Sequence, residues 1–285
     1  MLTTASKLRI ARVVGGLVRR TLAVGGGTGE VSVRRGGISW QLDLREGIEL
    51  AIYLAGMFER ATWSAYRALL RPGDCVLDAG ANVGAHALPL ARCVGPAGRV
   101  LAVEPTDYAY ARLRRNIALN PELAPRISAE QAMLAADTDG AVAAGFYSSW
   151  PADGRDVARH ARHQGVMMSA TGARRVTADE LLVARGFAAV QLIKLDVDGY
   201  ELDVLEGARA TLARDRPTVI MELAPYTVSE RGQDAFDIIT LLSDHGYRFR
   251  TLKGRPLDID RTYLERMPLG AGINIIASHA GAVRA

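Results

Sequence analysis

Two acidic residues, each at the end of an apolar run, have the types and spacing of a cofactor site. Residues 76–84 read VLDAGANVG and residues 99–107 read RVLAVEPTD, so Asp78 and Glu104 each close an apolar segment. An apolar strand, a glycine turn and a helix form a pocket for a small cofactor, and an acid after the next strand can bind ribose hydroxyls. The spacing therefore predicts one βαβ unit that binds a cofactor containing a ribose.

The glycine turn favours S-adenosylmethionine over a dinucleotide. A G-x-G-x-x-G/A fingerprint would align Gly80, position 82 and Ala85, but Asn82 replaces the middle glycine that lets a backbone approach a diphosphate. Asp78 places a negative charge beside the turn, which disfavours a diphosphate and suits a ligand with an ammonium and a sulfonium. Backbone N–H groups near Gly80 and Gly84 can receive the carboxylate of S-adenosylmethionine.

Four segments of the chain resemble the FkbM-type S-adenosylmethionine-dependent methyltransferases. They are LDLREGIELAIYLAGMFE (42–59), VLDAGANVG (76–84), VLAVEPTDYAYARLRRNIALN (100–120) and IKLDVDGYELDVLEGA (193–208). The last is similar to the family signature K-x-D-x-E/D-G-x-E, with Asp198 as its middle acid. The resemblance extends over roughly residues 30–280. It implies a Rossmann-like seven-stranded sheet and methyl transfer, usually to a hydroxyl of a sugar or specialised metabolite.

The order of the strand ends predicts where the cofactor lies. We expect Asp78 and Asn82 near the methionine moiety and Glu104 at the ribose. Gln131 and Ala132, at the end of the third strand, are expected beside the adenine. The turn glycines Gly80 and Gly84 complete the predicted cofactor site.

A further acidic strand end is predicted to act on the acceptor. Asp196 ends the run VQLIKLD and is expected near the sulfonium, as general base or as the group that orients the acceptor. Glu201, one helical turn later, is the second candidate. The structural alternative is that these acids cap the helix beginning near residue 200. Lys194 shares a strand face with Asp196 and would pair with it, since an unpaired buried lysine is costly.

Composition restricts the class of protein and its partners. Hydrophobic residues make up 49% and charged residues 23%, which fits a globular enzyme, and the apolar runs fall short of the ~20 residues of a membrane span. The net charge of +4 comes from arginines spread along the chain, so we expect no nucleic-acid partner. Two cysteines without a CxxC pattern predict a reducing, cytoplasmic location.

Three other functions compete with small-molecule methylation. Asn82 and the lack of a Tyr-x-x-x-Lys pattern weigh against an NAD-dependent oxidoreductase. An RNA methyltransferase would need a stronger basic surface or an appended RNA domain. The acids at the strand ends weigh against a non-catalytic binding module.

Alternating periodicities predict the domain organisation. Pro72-Gly73 separates an N-terminal part (1–71), with a hairpin and two covering helices, from a methyltransferase domain (72–285). The alternation predicts an α/β, doubly wound, mostly parallel sheet of seven strands, and the family resemblance implies that this seven-stranded sheet is Rossmann-like. Its last two strands are expected to form an antiparallel edge hairpin without a helix between them. Strands are predicted near 74–79, 99–104, 126–132, 190–195, 217–223, 246–252 and 271–277, and helices near 84–94, 107–119, 178–186, 200–213 and 233–245.

Two segments do not follow this alternation of strands and helices. Residues 1–29 contain five basic residues and no acid, and predict a basic amphipathic helix that packs on its own domain or makes weak contact with a membrane surface. Residues 137–172 form a long insertion that we interpret as a substrate lid.

Three histidines could extend the site. His160 and His163 have i, i+3 spacing, but in a polar loop this pattern is weak evidence for a metal and no metal site is predicted. His86 opens the first helix after the glycine turn. We expect it on the helix surface rather than in contact with a ligand.

Overall fold

The structure is a computed structural model that describes residue 16, residues 29–153 and residues 155–279. The predicted basic helix within residues 1–29 lies outside the described residues, apart from Gly16 and Gly29. None of the described helices has the length and apolar character that crossing a lipid bilayer demands.

A β-hairpin and two helices precede the main sheet, as predicted. The hairpin strands are antiparallel, and both Gly36 and Gly37 in the turn have the positive φ that a tight hairpin requires. These elements are β1 (Glu30–Arg35), β2 (Ile38–Asp43), α1 (Gly47–Ala55) and α2 (Arg60–Leu69).

The next segment contains the predicted βαβ unit. The apolar runs form strands, and Thr106 caps the second helix by accepting a hydrogen bond from the backbone N–H of Ala109. The elements are β3 (Cys75–Ala79), α3 (Ala87–Cys93), β4 (Arg99–Val103), α4 (Asp107–Ala118) and β5 (Ile127–Glu130).

The predicted lid contains regular structure. Two of its strands pair as an antiparallel hairpin, with an irregularity between Tyr147 and Ser149, and two flanking strands pair in parallel. The strands are β6 (Ala132–Leu134), β7 (Gly145–Ser149), β8 (Val166–Ser169) and β9 (Arg174–Val176).

The C-terminal half returns to alternating strands and helices. Thr177 and Glu180 form a capping box at the first of its helices. The elements are α5 (Ala178–Ala184), β10 (Leu192–Leu195), α6 (Glu201–Glu206), α7 (Arg209–Asp215), β11 (Thr218–Leu223), α8 (Pro225–Glu230), α9 (Ala235–Asp244), β12 (Tyr247–Thr251), β13 (Pro256–Leu257), α10 (Arg261–Glu265) and β14 (Ile273–His279).

The central sheet is doubly wound and mostly parallel, which confirms the predicted fold class. Its order is β13-β12-β14-β11-β10-β3-β4-β5. The strands β11, β10, β3, β4 and β5 pair in parallel, and β14 pairs antiparallel with both β11 and β12. The carboxyl ends of the parallel strands therefore share one edge, where Asp78, Glu104 and Asp196 are placed.

The edge of the sheet differs from the prediction in two ways. The sheet has eight strands rather than seven because the two residues of β13 pair with β12. The connection between β12 and β14 is not a simple hairpin, because it contains α10, which Asp260 caps through the N–H of Tyr263. Both β13 and α10 are too short for their sequences to show a hydrophobic periodicity.

Buried apolar residues cover both faces of the sheet. Successive strand residues alternate between two clusters: Leu77 and Ile193 belong to one, and Val76 and Leu192 to the other. The first cluster packs under α5, α6, α7 and α9, and the second under α1 to α4 and β2.

Two asparagines of α4 hold the N-terminal hairpin on the domain. The side-chain oxygens of Asn116 and Asn120 accept hydrogen bonds from the backbone N–H groups of Gln41 and Ser39, each at 2.9 Å. Their i, i+4 spacing places both amides on one helix face, where they pair with the free edge of β2. The hairpin is therefore joined to the helix that follows Glu104.

Candidate active site

A cavity of about 760 Å³, measured to its open mouth, lies at the carboxyl ends of β3, β4 and β10. Ligands of open α/β sheets bind at this edge. The walls come from the strand ends, from the α1–α2 region and from the β7–β8 hairpin.

The glycine turn after β3 brings the strand ends together. A Cβ atom on Gly80, whose φ is +80°, would lie 1.8 Å from the carbonyl oxygen of Asp196, so only glycine fits. The N–H groups of Gly80 and Ala81 donate to the carbonyl of Val103 at 3.0 and 2.9 Å, and the N–H of Gly84 closes the turn on Ala81. The turn, β4 and β10 are thus held as one unit.

Asn82 links the turn to the second acid and to the insertion. Its φ of +49° is left-handed, a conformation that asparagine tolerates better than most residues. Its backbone N–H donates to Glu104 Oε2, and its Nδ2 donates to the carbonyl oxygen of Ser148, both at 3.0 Å. The position of the middle glycine in a dinucleotide fingerprint is therefore occupied by a side chain that organises the site.

Glu104 lies in the cavity wall with its carboxylate fixed. Oε1 accepts hydrogen bonds from the N–H and the hydroxyl of Thr106, at 3.0 and 2.6 Å, and Oε2 accepts from Asn82. Burial raises the pKa of Glu104, and these hydrogen bonds oppose that effect. Of the roughly four lone-pair sites of a carboxylate, the one left on Oε2 is available to a ribose hydroxyl.

Asp78 lies behind the turn rather than in the cavity wall. Its carboxyl is fully buried, and neither oxygen has a hydrogen-bond partner among the described residues. Lys194 Nζ is 4.0 Å from Oδ1, and burial raises the pKa of this carboxyl. A buried carboxyl next to the turn adds negative potential there, which suits a ligand that carries an ammonium and a sulfonium, as S-adenosylmethionine does.

The two residues predicted beside the adenine are placed differently. Ala132 lines the cavity, together with the apolar side chains of Val103, Met133 and Leu134, and this strip suits a flat base. Gln131 lies outside the lining, because its Nε2 donates to Asp107 Oδ1 at 2.6 Å.

Lys194 and Asp196 form the predicted pair. The lysine is buried, and its Nζ donates to Asp196 Oδ2 at 3.0 Å. Burial lowers the pKa of Lys194, but the charges of Asp196 and Asp78 outweigh this and raise it. The Asp196 side chain is 31% exposed and lines the cavity, so this carboxylate is available to a ligand while it stays paired.

Glu201 holds the loop that presents Asp196. It is buried outside the cavity lining, and its carboxylate accepts hydrogen bonds from the N–H groups of Val197 at 3.2 Å and Gly199 at 3.0 Å. Burial raises the pKa of Glu201 to about 7. The loop also carries Asp198, which has a left-handed φ of +48° and lines the cavity.

His86 is in the cavity wall, so its predicted place on the helix surface is wrong. It is only 4% exposed, and its ring makes edge contacts with Phe58 and Tyr66, with centroids 5.9 Å away in both cases. The cause is tertiary: α2 packs over the start of α3 and buries the imidazole. The signal that could have located His86 is its position two residues after Gly84, at the mouth of the turn.

The insertion covers the cavity with aromatic side chains. Phe146, Tyr147 and Trp150, on and next to β7, lie in the lining, and the Phe146 ring lies 4.9 Å from that of Tyr200. That this segment closes over an acceptor stays a prediction.

His160 and His163 stack on each other with their ring centroids 3.8 Å apart. His160 Nε2 is 3.0 Å from Glu230 Oε2, so the pair links the insertion to α8. The part of the chain that the structure describes has no group of three or more His, Cys, Asp or Glu residues arranged to hold a metal ion.

Comparisons with known proteins identify relatives of the chain. Residues 78–249 match the family described as the methyltransferase FkbM domain. The chain is 28% identical over 199 residues to 31-O-demethyl-FK506 methyltransferase FkbM of Streptomyces tacrolimicus, which covers 62% of this chain and 74% of that protein.

Two solved structures are similar at lower identity. Methyltransferase FkbM from Methylobacillus flagellatus KT is 16% identical, with a TM-score of 0.42, over 75% of this chain and 50% of that one. M. jannaschii TYW2 in complex with AdoMet is 16% identical, with a TM-score of 0.43, over 88% of this chain and 86% of that one.

Proposed function

Because the chain belongs to the FkbM methyltransferase family and uses S-adenosylmethionine, we propose that it methylates a hydroxyl of a sugar or specialised metabolite. When bound, the cofactor supplies an electrophilic methyl group. The family match also decides against the alternative NAD-dependent oxidoreductase. The curated relative is named for a substrate that lacks an O-methyl group, which supports oxygen as the methylated atom.

One observation carries the proposal: Asp196 lines the cavity while Lys194 holds it in place. A carboxylate at the end of the strand next to the glycine turn can accept the hydrogen bond of an acceptor hydroxyl and aim its oxygen. The aromatic side chains of Phe146, Tyr147 and Trp150 form an apolar wall for the rest of a ring-shaped acceptor. We assign to the insertion the role of a lid over this acceptor.

The cofactor is proposed to lie along the ends of β3 and β4. Glu104 binds the ribose hydroxyls, and the apolar strip at Ala132 contacts the adenine. Asp78 stabilises the positive charges of the methionine moiety, and the turn with Gly80, Asn82 and Gly84 shapes this end of the cavity.

We expect Glu104→Ala to weaken the binding of S-adenosylhomocysteine by about 1–3 kcal/mol, because the variant lacks the carboxylate that accepts the ribose hydroxyls. Titration calorimetry measures the change. Glu104→Gln, which keeps one acceptor oxygen, should lose less, and Glu122→Ala, at an exposed position, should lose nothing. Unchanged affinity in a folded Glu104→Ala variant would mean that Glu104 does not bind the ribose.

The methylated atom can be tested with matched acceptors. The enzyme would be incubated with S-adenosylmethionine labelled in its methyl group and with a panel of glycosides and hydroxylated macrocycles. Each active compound would then be compared with its deoxy and amino analogues. We expect transfer to the hydroxyl compound and none to the deoxy analogue. Transfer only to the amino analogues would contradict O-methylation.

A further inference from the structure

His86 is an imidazole in the cavity wall with unpaired nitrogens. Neither Nδ1 nor Nε2 has a hydrogen-bond partner among the described residues. The residue is nevertheless buried, with only 4% of its surface exposed. A buried polar atom without a partner costs free energy unless a ligand or water provides one. The rings of Phe58 and Tyr66 fix the plane of the imidazole from two sides.

Glu59 approaches one side of this imidazole. Its Oε2 lies 3.7 Å from His86 Nε2. The backbone of Glu59 has a left-handed φ of +45°, which is unusual for glutamate and is held by its surroundings. Thr62 Oγ1 donates to Oε2 at 3.1 Å and Asn274 Nδ2 donates to Oε1 at 3.3 Å. The carboxylate is thus fixed from α2 and β14 and faces the imidazole.

The charges around the imidazole come from three elements. Glu59, just before α2, and Tyr66 on α2 face it. Asp78 on β3 is close enough to interact with its charge, and Lys194 on β10 lies near Glu59 and Asp78. Burial raises the pKa of Glu59, but the neighbouring His86 and Lys194 outweigh this and lower it to about 2. Glu59 is therefore a carboxylate at neutral pH and favours a proton on Nε2, which leaves the lone pair of Nδ1 free.

Two other acids of the site, Asp196 and Glu201, already accept hydrogen bonds. Asp196 accepts a hydrogen bond from the Nζ of Lys194. Glu201 accepts from the backbone of the loop and does not line the cavity. Besides Asp198, whose pKa burial and the neighbouring acids raise, His86 is the proton acceptor of this wall whose side chain has no hydrogen-bond partner among the described residues.

We propose that His86, oriented by Glu59, is the base that accepts the proton of the acceptor hydroxyl, a role that rests on the proposed O-methylation. The acceptor O–H bond breaks as its proton passes to Nδ1. The oxygen electron pair forms the new bond to the methyl carbon, and the electron pair of the broken carbon–sulfur bond stays on the sulfur of S-adenosylhomocysteine. Asp196 orients the hydroxyl, and Glu59 stabilises the imidazolium.

The kinetic test compares His86→Gln with wild type on a hydroxyl acceptor from the panel. We expect kcat to fall about 10²–10⁴-fold, the usual range for a lost general base, while calorimetry shows S-adenosylhomocysteine binding little changed. The acid limb of the pH profile of kcat should disappear in the variant. Glu59→Gln should lower kcat less and keep that limb. His245→Gln, remote from the cavity, is the matched control, and normal turnover in folded His86→Gln would overturn the proposal.

A second readout needs no acceptor. The full chain contains five histidines, so the spectrum of ¹⁵N-histidine-labelled protein can be assigned to His86 by comparison with His86→Gln. At pH 8 we expect the neutral tautomer with the proton on Nε2, and a shift in the tautomer ratio in Glu59→Gln. A doubly protonated ring at pH 8, or a proton on Nδ1, would overturn the role of His86. If the expected tautomer is observed but no hydroxyl compound accepts a methyl group, the result would instead contradict the proposed O-methylation.

Discussion

Asp196→Asn should lower kcat about 10²-fold, the scale of loss when a reacting group is misplaced by an ångström. The asparagine keeps an oxygen for the hydrogen bond from Lys194 Nζ, which in the native enzyme is 3.0 Å long. It lacks the charge that orients the acceptor hydroxyl. Steady-state kinetics at saturating S-adenosylmethionine measure the loss.

Two further measurements separate this role from others. Cofactor affinity, measured by calorimetry, should change little, and Asp258→Asn, at an exposed position, should have native kinetics. A large loss of affinity with nearly normal kcat would assign Asp196 to cofactor binding. Full activity would remove Asp196 from the mechanism.

Lys194→Met should reduce the free energy of unfolding by about 3–5 kcal/mol, as expected when one partner of a buried ion pair is removed. The methionine fills similar space, but Asp78 is left fully buried without its neighbouring cation. The loss should shrink as the pH falls towards 4, because a protonated Asp78 needs no counter-charge. Urea unfolding at several pH values gives the free energies.

One control variant removes an exposed lysine, and a double variant removes the buried acid together with Lys194. Lys253→Met, at an exposed position, should leave stability unchanged. Adding Asp78→Leu to Lys194→Met should restore much of the lost stability, because the buried charge is then removed. If the two substitutions destabilise additively, Lys194 does not stabilise the fold through Asp78.

The strand ends that position the site could be predicted from the sequence. Each apolar run is long enough to be buried on both faces of a parallel sheet, and Asp78, Glu104 and Asp196 follow or end such runs. Because parallel strands share their carboxyl edge, the spacing of these acids in the sequence predicts their proximity in space. The Lys194–Asp196 pair follows from period-two alternation in the same strand.

Other features depend on contacts between distant segments. The burial of His86 results from α2 packing over the start of α3. Glu59 approaches the imidazole from the start of α2, a helix that begins 26 residues before His86. The β7–β8 hairpin has no clear alternating pattern, since an irregularity interrupts its register at Tyr147. The outward position of Gln131 is set by its bond to Asp107 on a neighbouring helix.

The most direct test of O-methylation at this site is the fate of a ¹³C-labelled methyl group. Wild-type enzyme, ¹³C-methyl S-adenosylmethionine and a hydroxyl acceptor from the panel would be followed by NMR, with Asp196→Asn and His86→Gln in parallel. We expect the labelled carbon to become bonded to the acceptor oxygen as S-adenosylhomocysteine forms, and we expect both variants to do this far more slowly. A methyl carbon bonded to nitrogen or carbon, or equal rates in all three enzymes, would contradict this expectation.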